Sequence, residues 1–388
     1  MRILMLNHNI AWSGGTFYRA YHFARAMGKF GHEVTLMTIS PKKMFGITEY
    51  QKNNVNFVET PDWFWGRGRT GWDLWDTLRR CLYLRKKTWD LVHAFDSRPA
   101  VIMPALYIKQ KSVPLVLDWA DWWGRGGTIE ERNTGWIIRH LVGSLEEYFE
   151  EAFRTNADGT TVISLALQKR AVELGVKQGS ILQIPQGSDI DNVYPINRNV
   201  CRTILKLPNE LPILGYLGVL SKGDAKLLFD TFSLVLEKTP ECKLILIGNH
   251  KANIPSRQGI IETGYVSQEK LLRYMGACDF MLLPMKDSIA NRGRWPSKIN
   301  DYFAAGKPII ASAVGDVQEI FNNYLIGKST SDNPEAFASA IFELLSNKVL
   351  QEEMGRNARK LAEEQFAWPI LAQQLEEHYE KILQRKYS

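Results

Sequence analysis

RILMLNHNIAWSGGTFYRAYHFARAMGKFGHEVTLMTI (residues 2–39) opens the chain and sets the expectation for its fold. RILMLN (2–7) is a short apolar run typical of a buried strand, and a turn containing Gly14 and Gly15 follows it. Residues 16–30 have the apolar spacing of an amphipathic helix, and EVTLMTI then has the pattern of a second strand. The stretch therefore predicts a βαβ unit.

The same order returns in the second half of the chain. PILGYLGV (212–219) enters a glycine turn, a helix follows to about Thr239, and CKLILIG (242–248) is the next strand. Further strands are expected at DLVHAF (90–95), PLVLDWA (114–120), GTTVIS (159–164), DFMLLPM (279–285) and KPIIAS (307–312). Alternation of this kind predicts an α/β protein whose parallel sheet, with helices on both faces, is built twice.

A length of 388 residues suits two domains. We expect an N-terminal Rossmann-like domain over 1–200, a C-terminal one over 201–368, and a final helix over 369–388 that packs back on the N-terminal domain. Ligands of open α/β sheets bind beyond the carboxyl ends of the strands, so two such domains would face a central cleft.

Composition excludes several classes of protein. The net charge of +6 is modest for this length, and we expect no nucleic-acid partner. Cys81, Cys201, Cys242 and Cys278 are scattered without metal spacing, which predicts reduced packing residues and no zinc site. No apolar run is long enough to span a bilayer, so the sequence predicts a cytoplasmic protein.

Several residues could bind an anion. Gly14 and Gly15 let the backbone approach a ligand at a helix N-terminus, although a plain tight turn is the alternative and GxGxxG is absent. Lys222 follows the equivalent strand of the second half and could reach a diphosphate, or could be a solvated loop lysine. Lys298 and Asp301 lie three apart on one predicted helix, so a cation and a carboxylate share a face, as an exposed salt pair also would.

Acidic and histidine candidates lie in the first half. Asp118 and Asp121 end a predicted strand, where a carboxylate could orient an acceptor hydroxyl or cap a helix. His93 could reach the same side, but a core histidine is the alternative. Asp189-Ile190-Asp191 has the DxD spelling of metal-dependent transferases, and we interpret it as loop chemistry.

Residues 61–89 mix aromatic and cationic side chains: Trp63, Phe64, Trp65, Trp72, Trp75 and Trp89 with Arg67, Arg69, Arg79, Arg80, Arg85, Lys86 and Lys87. Such a mixture suits a helix lying in the headgroup layer of an anionic membrane. The alternative is a packed tryptophan group with a solvated basic face. We expect peripheral contact with the inner face of the membrane.

The chain resembles the retaining GT-B glycosyltransferases of the family 4 group. The resemblance runs along most of its length and is carried by GHEVTLMT (31–38), TTVIS (160–164), IPQGSDIDNVYP (184–195), Lys222-Gly223, KLILIG (243–248), TGYVSQEKLLRYMGACDFMLLP (263–284) and PSKINDYFAAGKPII (296–310). It implies a GT-B fold with donor binding in the second half.

The resemblance also implies roles by position. The donor diphosphate and sugar would lie against Gly14 and Gly15, Lys222 would neutralise the leaving diphosphate, and Asp301 would bind the ribose. The remaining implied donor contacts are Gly248, Tyr265 and Val266 beside the base, Asn291, Arg292 and Gly293 beside the sugar, and Lys298.

Four departures from the family pattern concern polar contacts. Gly293 stands where the first of two glutamates is usual, and Asp301 shortens the second. Val219 replaces an expected arginine, whose charge Arg292 or Lys298 could supply, and Ala120 replaces a frequent histidine.

The resemblance implies transfer of a hexose, glucose first, from a UDP-sugar to a glycan or lipid-linked glycan with retention, without a metal or other cofactor. A nucleotide-sugar epimerase or a phosphorylase is the enzymatic alternative, although Gly293 and Ala120 do not crowd acidic groups at the sugar. The non-enzymatic alternative is a sugar-nucleotide-binding subunit that has lost catalysis.

Overall fold

The structure is a computed structural model that describes residues 1–42, 45–63, 70–131, 135–249, 254 and 258–387, with the side chains of 137–139, 222 and 387 left aside. The chain divides into two compact units. Unit 1 comprises Met1–Gln186, Gly293–Trp295 and Trp368–Ser388, and unit 2 comprises Gly187–Arg292 and Pro296–Ala367.

Unit 1 is built on an eight-stranded sheet in the order β3-β4-β2-β1-β5-β6-β7-β8. Its strands are β1 (Arg2–Ile10), β2 (Glu33–Ile39), β3 (Thr48–Lys52), β4 (Val55–Thr60), β5 (Leu91–Phe95), β6 (Leu115–Trp119), β7 (Gly159–Val162) and β8 (Ile181–Gln183). Neighbouring strands are parallel except for the antiparallel pair β3 and β4.

The helices of unit 1 are α1 (Gly15–Lys29), α2 (Leu74–Leu84), α3 (Pro99–Lys109), α4 (Trp136–Glu151), α5 (Leu165–Glu173) and α14 (Trp368–Tyr387). The apolar positions of α14 recur every three or four residues, at Trp368, Leu371, Leu375, Tyr379 and Ile382, and all are buried. They join α1 in one core cluster on one face of the sheet. The final helix of the described chain is thus a wall of the core of unit 1.

Unit 2 is built on a six-stranded sheet in the order β11-β10-β9-β12-β13-β14. Its strands are β9 (Ile213–Leu217), β10 (Lys243–Ile247), β11 (Ile260–Glu262), β12 (Phe280–Leu283), β13 (Ile309–Ser312) and β14 (Gly327–Thr330). All neighbouring pairs are parallel. The four central strands, β10, β9, β12 and β13, are almost entirely apolar and buried, as expected where helices cover both faces of a sheet.

The helices of unit 2 are α6 (Arg198–Leu205), α7 (Lys222–Lys238), α8 (Gln268–Ala277), α9 (Ile289–Arg292), α10 (Lys298–Ala304), α11 (Asp316–Asn323), α12 (Pro334–Leu345) and α13 (Lys348–Leu361). Local signals start several of them. Ser221 accepts a hydrogen bond from the Asp224 N–H at the start of α7, and Ser267 does the same for Lys270 at α8.

Each sheet has a point where the strand order reverses. In unit 1, β1 is flanked by β2 and β5, and in unit 2, β9 is flanked by β10 and β12. In open α/β sheets this reversal leaves a crevice at the carboxyl ends of the strands, where ligands bind. The α/β class with a parallel sheet in each half is confirmed, and the candidate residues can be located relative to these two edges.

Candidate functional site

Two glycines lie side by side at the carboxyl edge of the unit 2 sheet. Gly218 follows β9 with φ +91°, and Gly248 follows β10 with φ +116°, a region that favours glycine. A Cβ placed on Gly248 would lie 3.5 Å from the Gly218 Cα. Two stretches of backbone are therefore bare at the same place, where a ligand can approach closely.

Tyr302 holds open the crevice beside them. Strands β9 and β12 pair at Leu214–Phe280 and Gly215–Met281 and then diverge. The Tyr302 hydroxyl fills the gap: it accepts a hydrogen bond from the Leu217 N–H at 3.0 Å and donates to the Leu282 carbonyl at 3.3 Å. Burial raises the pKa of Tyr302 well above its ordinary value, so the hydroxyl remains protonated as a fixed bridge.

Lys298 brings a cation to the glycine pair. Its Nζ donates to the Tyr216 hydroxyl, lies 4.1 Å from the centroid of that ring, and is 3.9 Å from the position that a Cβ on Gly218 would occupy. The Tyr216 hydroxyl in turn donates to the Val219 carbonyl at 3.1 Å. Tyr216 therefore positions the ammonium over the turn after β9.

Asp301 is a carboxylate one turn along the same helix. Among the described residues no side chain or N–H hydrogen-bonds to it, and its side chain is partly exposed. Withdrawal from water, together with a smaller effect of the nearby Asp189 charge, raises the pKa of Asp301 to about 7. A carboxylate that the protein leaves unsatisfied in this way is suited to accept hydrogen bonds from a ligand.

Tyr265 and Val266 follow β11 on a loop tied to this edge. Gly248 and Gly264 form an antiparallel bridge, and the Gly248 N–H donates to Thr263 Oγ1 at 3.3 Å. The Tyr265 side chain is 92% exposed. An aromatic ring therefore stands free beside Gly248, where it can stack on a planar ligand.

Three other predicted donor contacts have different surroundings. Lys222 begins α7 next to the turn after β9, but its side chain lies outside the described set. Arg292 makes two hydrogen bonds of 2.6 Å to Asp287, and the Asn291 amide donates to the Lys286 carbonyl at 2.8 Å. Arg292 is therefore neutralised by its ion pair with Asp287. Among the side chains that the structure describes, Lys298 is the cation that lies beside Gly218.

Asp189 and Asp191, the DxD pair, lie in the same unit. Asp189 accepts a hydrogen bond from the Asn192 amide at 2.8 Å, as in a local turn. Within the described ranges of the chain, no group of three or more histidine, cysteine, aspartate or glutamate side chains is arranged to hold a metal ion.

Gly14 and Gly15 lie at the corresponding edge of unit 1. Gly14 has φ +83°, and a Cβ there would come within 2.7 Å of the Asn9 amide nitrogen. A Cβ on Gly15, the first residue of α1, would meet no heavy atom within 4 Å. Gly14 is thus required by the turn itself, whereas Gly15 leaves open space at the helix N-terminus.

Asp118 and His93 belong to the core of unit 1. Asp118 is paired with Arg19 through hydrogen bonds of 3.0 Å to each carboxylate oxygen, and both side chains are 1% exposed. His93 is fully buried between the Tyr379 hydroxyl at 2.6 Å and Thr161 Oγ1 at 3.1 Å, and burial lowers its pKa to about 3. Neither side chain opens towards a ligand, which corrects the expectation that they lie on an acceptor side.

Asp121, by contrast, is partly exposed just beyond β6. Burial raises its pKa to about 6, with Glu131 adding to the rise and Arg294 opposing it. The Arg294 guanidinium lies 3.8 Å from Asp121 and 2.8 Å from Glu131. The residues Gly293–Trp295 pack within unit 1, where the Ser164 hydroxyl donates to the Gly293 carbonyl at 3.1 Å. Gly293 therefore positions Arg294 beside Asp121.

Asp96, which the sequence analysis did not single out, ends β5 in a strained conformation. Its φ is +108°, unusual for a residue with a side chain, and it is buried. One carboxylate oxygen accepts from the Ser97 and Arg98 N–H groups at 2.6 and 2.9 Å, and the other lies 3.3 Å from His8 Nδ1. The one signal in the sequence is a polar DSR triplet before Pro99, and it does not reveal the strain.

The segment expected at a membrane is only partly as predicted. Phe64, Trp65, Arg67 and Arg69 lie outside the described residues. Trp89 is 9% exposed and Arg80 is fully buried, so neither can contact lipid. In the described part of the chain no helix is both long and apolar enough to cross a bilayer.

Comparison with known proteins agrees with this arrangement. Residues 14–187 match the Glycosyl transferase 4-like domain, and residues 211–347 match the Glycosyl transferases group 1 domain. Spore coat protein SA of Bacillus subtilis is 26% identical over 203 residues, which are 47% of this chain and 52% of that protein. The curated relatives match over about half of their own length, between 42% and 59%.

Solved structures share the fold over the whole chain. Sucrose-phosphate synthase from Thermosynechococcus elongatus superposes with a TM-score of 0.73 at 18% identity and covers 99% of both chains. HepE of Anabaena, solved in complex with UDP-glucose, gives 0.71 at 16% identity, covering 98% of this chain and 100% of its own. With both halves matched by family and the fold shared throughout, the chain belongs to the group 1 glycosyltransferases of the family 4 type and has the GT-B fold.

Proposed function

We propose that the chain transfers a hexose, with glucose as the first candidate, from a UDP-sugar to a hydroxyl of a glycan or lipid-linked glycan, in polysaccharide or glycoconjugate biosynthesis. The observation that carries the proposal is the Lys298 ammonium held over the adjacent glycines Gly218 and Gly248. A cation above bare backbone, at the carboxyl ends of parallel strands, is suited to a diphosphate.

The rest of the donor follows from that anchor. Asp301, three residues along α10 and without a hydrogen-bond donor from the described protein, would accept the ribose hydroxyls. Tyr265, exposed on the loop bridged to Gly248, would stack on the base, with the backbone at Val266 beside it. Lys222, at the start of α7, would add a second cation to the diphosphate. UDP is preferred because the fold is shared with HepE, which was solved with UDP-glucose.

The chemistry needs little from the protein beyond charge. The bond between the anomeric carbon and the diphosphate oxygen breaks, the acceptor oxygen bonds to the same carbon, and its proton passes to the departing diphosphate. Lys298 and Lys222 would stabilise the negative charge that grows on the leaving group, so no metal ion is required. Delivery of the acceptor from the face that the diphosphate leaves gives retention of configuration.

On the acceptor side we propose Asp121. Its partly exposed carboxyl, with a pKa raised to about 6 by burial, can orient an acceptor hydroxyl in a largely ionised form at neutral pH. Arg294, held 3.8 Å away, keeps the carboxylate in place. The Asp121–Arg294 pair would thus supply polar contacts in place of the histidine and glutamate that Ala120 and Gly293 replace.

Thermal unfolding with a panel of UDP-, GDP- and ADP-sugars tests the donor. A ligand at a hundred times its dissociation constant adds about 2.7 kcal/mol to stability. We expect UDP-glucose to give the largest shift and a Lys298→Met variant to lose most of it, while Lys226→Met, at an exposed lysine of α7, keeps it. A larger shift with GDP- or ADP-sugars would refute the UDP assignment.

A binding subunit without catalysis is the second candidate, favoured by Gly293 and Val219 in place of the usual glutamate and arginine. Calorimetry with UDP-glucose, paired with detection of free UDP in the presence of glycan acceptors, separates the two. Binding with neither transfer nor hydrolysis would favour the subunit.

A further inference from the structure

Helix α2 (Leu74–Leu84) buries charge and exposes leucine. Asp76 and Arg80 are both 0% exposed and form an ion pair with a 2.8 Å hydrogen bond, and Arg80 also donates to the Asn7 carbonyl at 2.7 Å. Leu74, Leu78 and Leu82 are 75%, 49% and 50% exposed. The usual arrangement of a surface helix, with its apolar stripe on the core, is reversed.

The three leucines form one continuous stripe. They are spaced by four residues, so they lie one above another on the same face of the helix. Trp63, 54% exposed, extends the stripe at the N-terminal end, where its ring stacks on Trp75 at 5.8 Å. The backbone N–H of Trp63 donates to Asp73, the residue that caps α2, at 2.6 Å. The backbone at Trp63 is therefore tied to the start of α2, and its ring is held by the stacking on Trp75.

Cations border this stripe, and Glu49, an exposed carboxylate that accepts a hydrogen bond from Tyr83 of α2, is paired with Lys87. Arg85 follows the leucines on the same face, Lys86 is exposed beside it, and Arg79 lies over the Trp75 ring at 5.8 Å. Within residues 73–88 the acidic side chains are Asp73 and Asp76, and both are buried. The charge that α2 presents outwards is thus positive.

We propose that the α2 face, consisting of Trp63, Leu74, Leu78 and Leu82 with Arg79, Arg85 and Lys86, binds the anionic surface of a lipid bilayer. Leucine and tryptophan side chains would enter the headgroup layer while the bordering cations meet lipid phosphates. The excess of exposed cations over exposed carboxylates at this face is what selects an anionic lipid surface as the occupant. The inference does not depend on glycosyl transfer, since the contact needs neither donor nor acceptor.

Co-sedimentation of the full chain with vesicles tests it. We expect binding to vesicles of phosphatidylcholine with phosphatidylglycerol and little binding to phosphatidylcholine alone, with binding weakened by salt. Arg85→Gln with Lys86→Gln should lower the partition coefficient roughly twenty-five-fold, at about a fivefold loss per cation. Leu78→Ser with Leu82→Ser should lower it more than tenfold.

Two controls match these variants. Lys87→Gln removes a neighbouring cation that Glu49 already neutralises, and Val349→Ser removes an apolar side chain of α13 in unit 2 that is more exposed than either leucine. Both should bind vesicles as the unaltered chain does. Thermal unfolding and the UDP-glucose shift should be unchanged in every variant, which separates lost membrane contact from lost folding or donor binding.

Equal binding to both kinds of vesicle, or no effect of the leucine substitutions, would overturn the proposal. So would sedimentation equilibrium without lipid, if it showed a dimer that Leu78→Ser with Leu82→Ser dissolves, because a second copy would then cover the α2 face.

Discussion

Asp301 offers a test of the proposed donor site, because its raised pKa should make donor affinity depend on pH. At a pKa of about 7 the carboxyl is about 90% ionised at pH 8 and about 1% ionised at pH 5. If the ribose hydroxyls donate to the carboxylate, the dissociation constant of UDP-glucose should rise about tenfold from pH 8 to pH 5, because one charged hydrogen bond is worth about 1.5 kcal/mol. The diphosphate of UDP-glucose is a diester and does not titrate in this range, so the change reports the protein.

Asp301→Asn should bind UDP-glucose about tenfold more weakly at pH 8, since one charged hydrogen bond is worth about 1.5 kcal/mol. Its affinity should be nearly constant with pH, so the affinities of the variant and the unaltered chain should converge near pH 5. Isothermal titration calorimetry at a series of pH values measures both. Asp230→Asn, at an exposed aspartate of α7, should behave like the unaltered chain.

The same group affects stability in the opposite sense. Its folded pKa is raised from 3.8 to about 7, so its ionisation costs stability from about pH 4 upwards and the full cost is reached above pH 7. The rise of the pKa from 3.8 to about 7 corresponds to a loss of about 4 kcal/mol in the free energy of unfolding. We halve this loss to ~2 kcal/mol because the side chain is partly exposed. Asp301→Asn should therefore be more stable than the unaltered chain at pH 8 and equal to it near pH 4. The donor-binding role of Asp301 would be refuted if the dissociation constant of UDP-glucose changed less than threefold between pH 8 and pH 5, or if it changed by the same factor in Asp301→Asn.

Three further outcomes are expected. Lys298→Met should reduce turnover at saturating donor at least tenfold, because the lysine charge would stabilise the negative charge that grows on the leaving diphosphate, whereas Lys226→Met should not reduce it. Turnover is measured as the release of UDP. Equal turnover in the two variants would remove Lys298 from the mechanism. Asp76→Asn leaves the buried Arg80 unpaired and should cost about 3–5 kcal/mol in urea unfolding, and a loss below 1 kcal/mol would mean that water reaches the pair. Asp96→Ala should cost about 2–3 kcal/mol and Asp96→Asn about 1, because asparagine tolerates the positive φ and keeps an acceptor for the Ser97 N–H; similar losses would contradict this account of the turn.

Most of the fold could be predicted because its signals are local. The apolar runs at RILMLN, PLVLDWA and KLILIG became β1, β6 and β10, and the glycine turn after β1 leads directly into α1. The edge strand β3 is exposed at every position except the half-buried Tyr50 and has few apolar residues, so it offered no comparable signal. Periodicity predicts an element when the element buries a whole face.

The candidate site was predicted less completely, because its side chains are chosen by partners far along the chain. Asp118 and Asp121 lie close together at the end of β6 and look alike in the sequence. Asp118, however, is buried because it pairs with Arg19 of α1, 99 residues earlier in the chain. Lys298 meets Tyr216 across 82 residues. Arg292 and Lys298 were equal candidates for the missing arginine charge, and the ion pair of Arg292 with Asp287 distinguishes them.

The helix α14 also bears on how the chain is made. His93 on β5 and Tyr379 on α14 share a hydrogen bond although 286 residues separate them. At about 5–20 residues per second, a ribosome needs roughly 15–60 seconds to travel between the two codons. During that interval the apolar face of α1 that packs on α14 is uncovered, because α14 has not yet been made. The whole of unit 2 emerges in the same interval and can fold. The second unit to be started is thus the first that can be finished, and nascent unit 1 is the stage at which chaperones would be needed most.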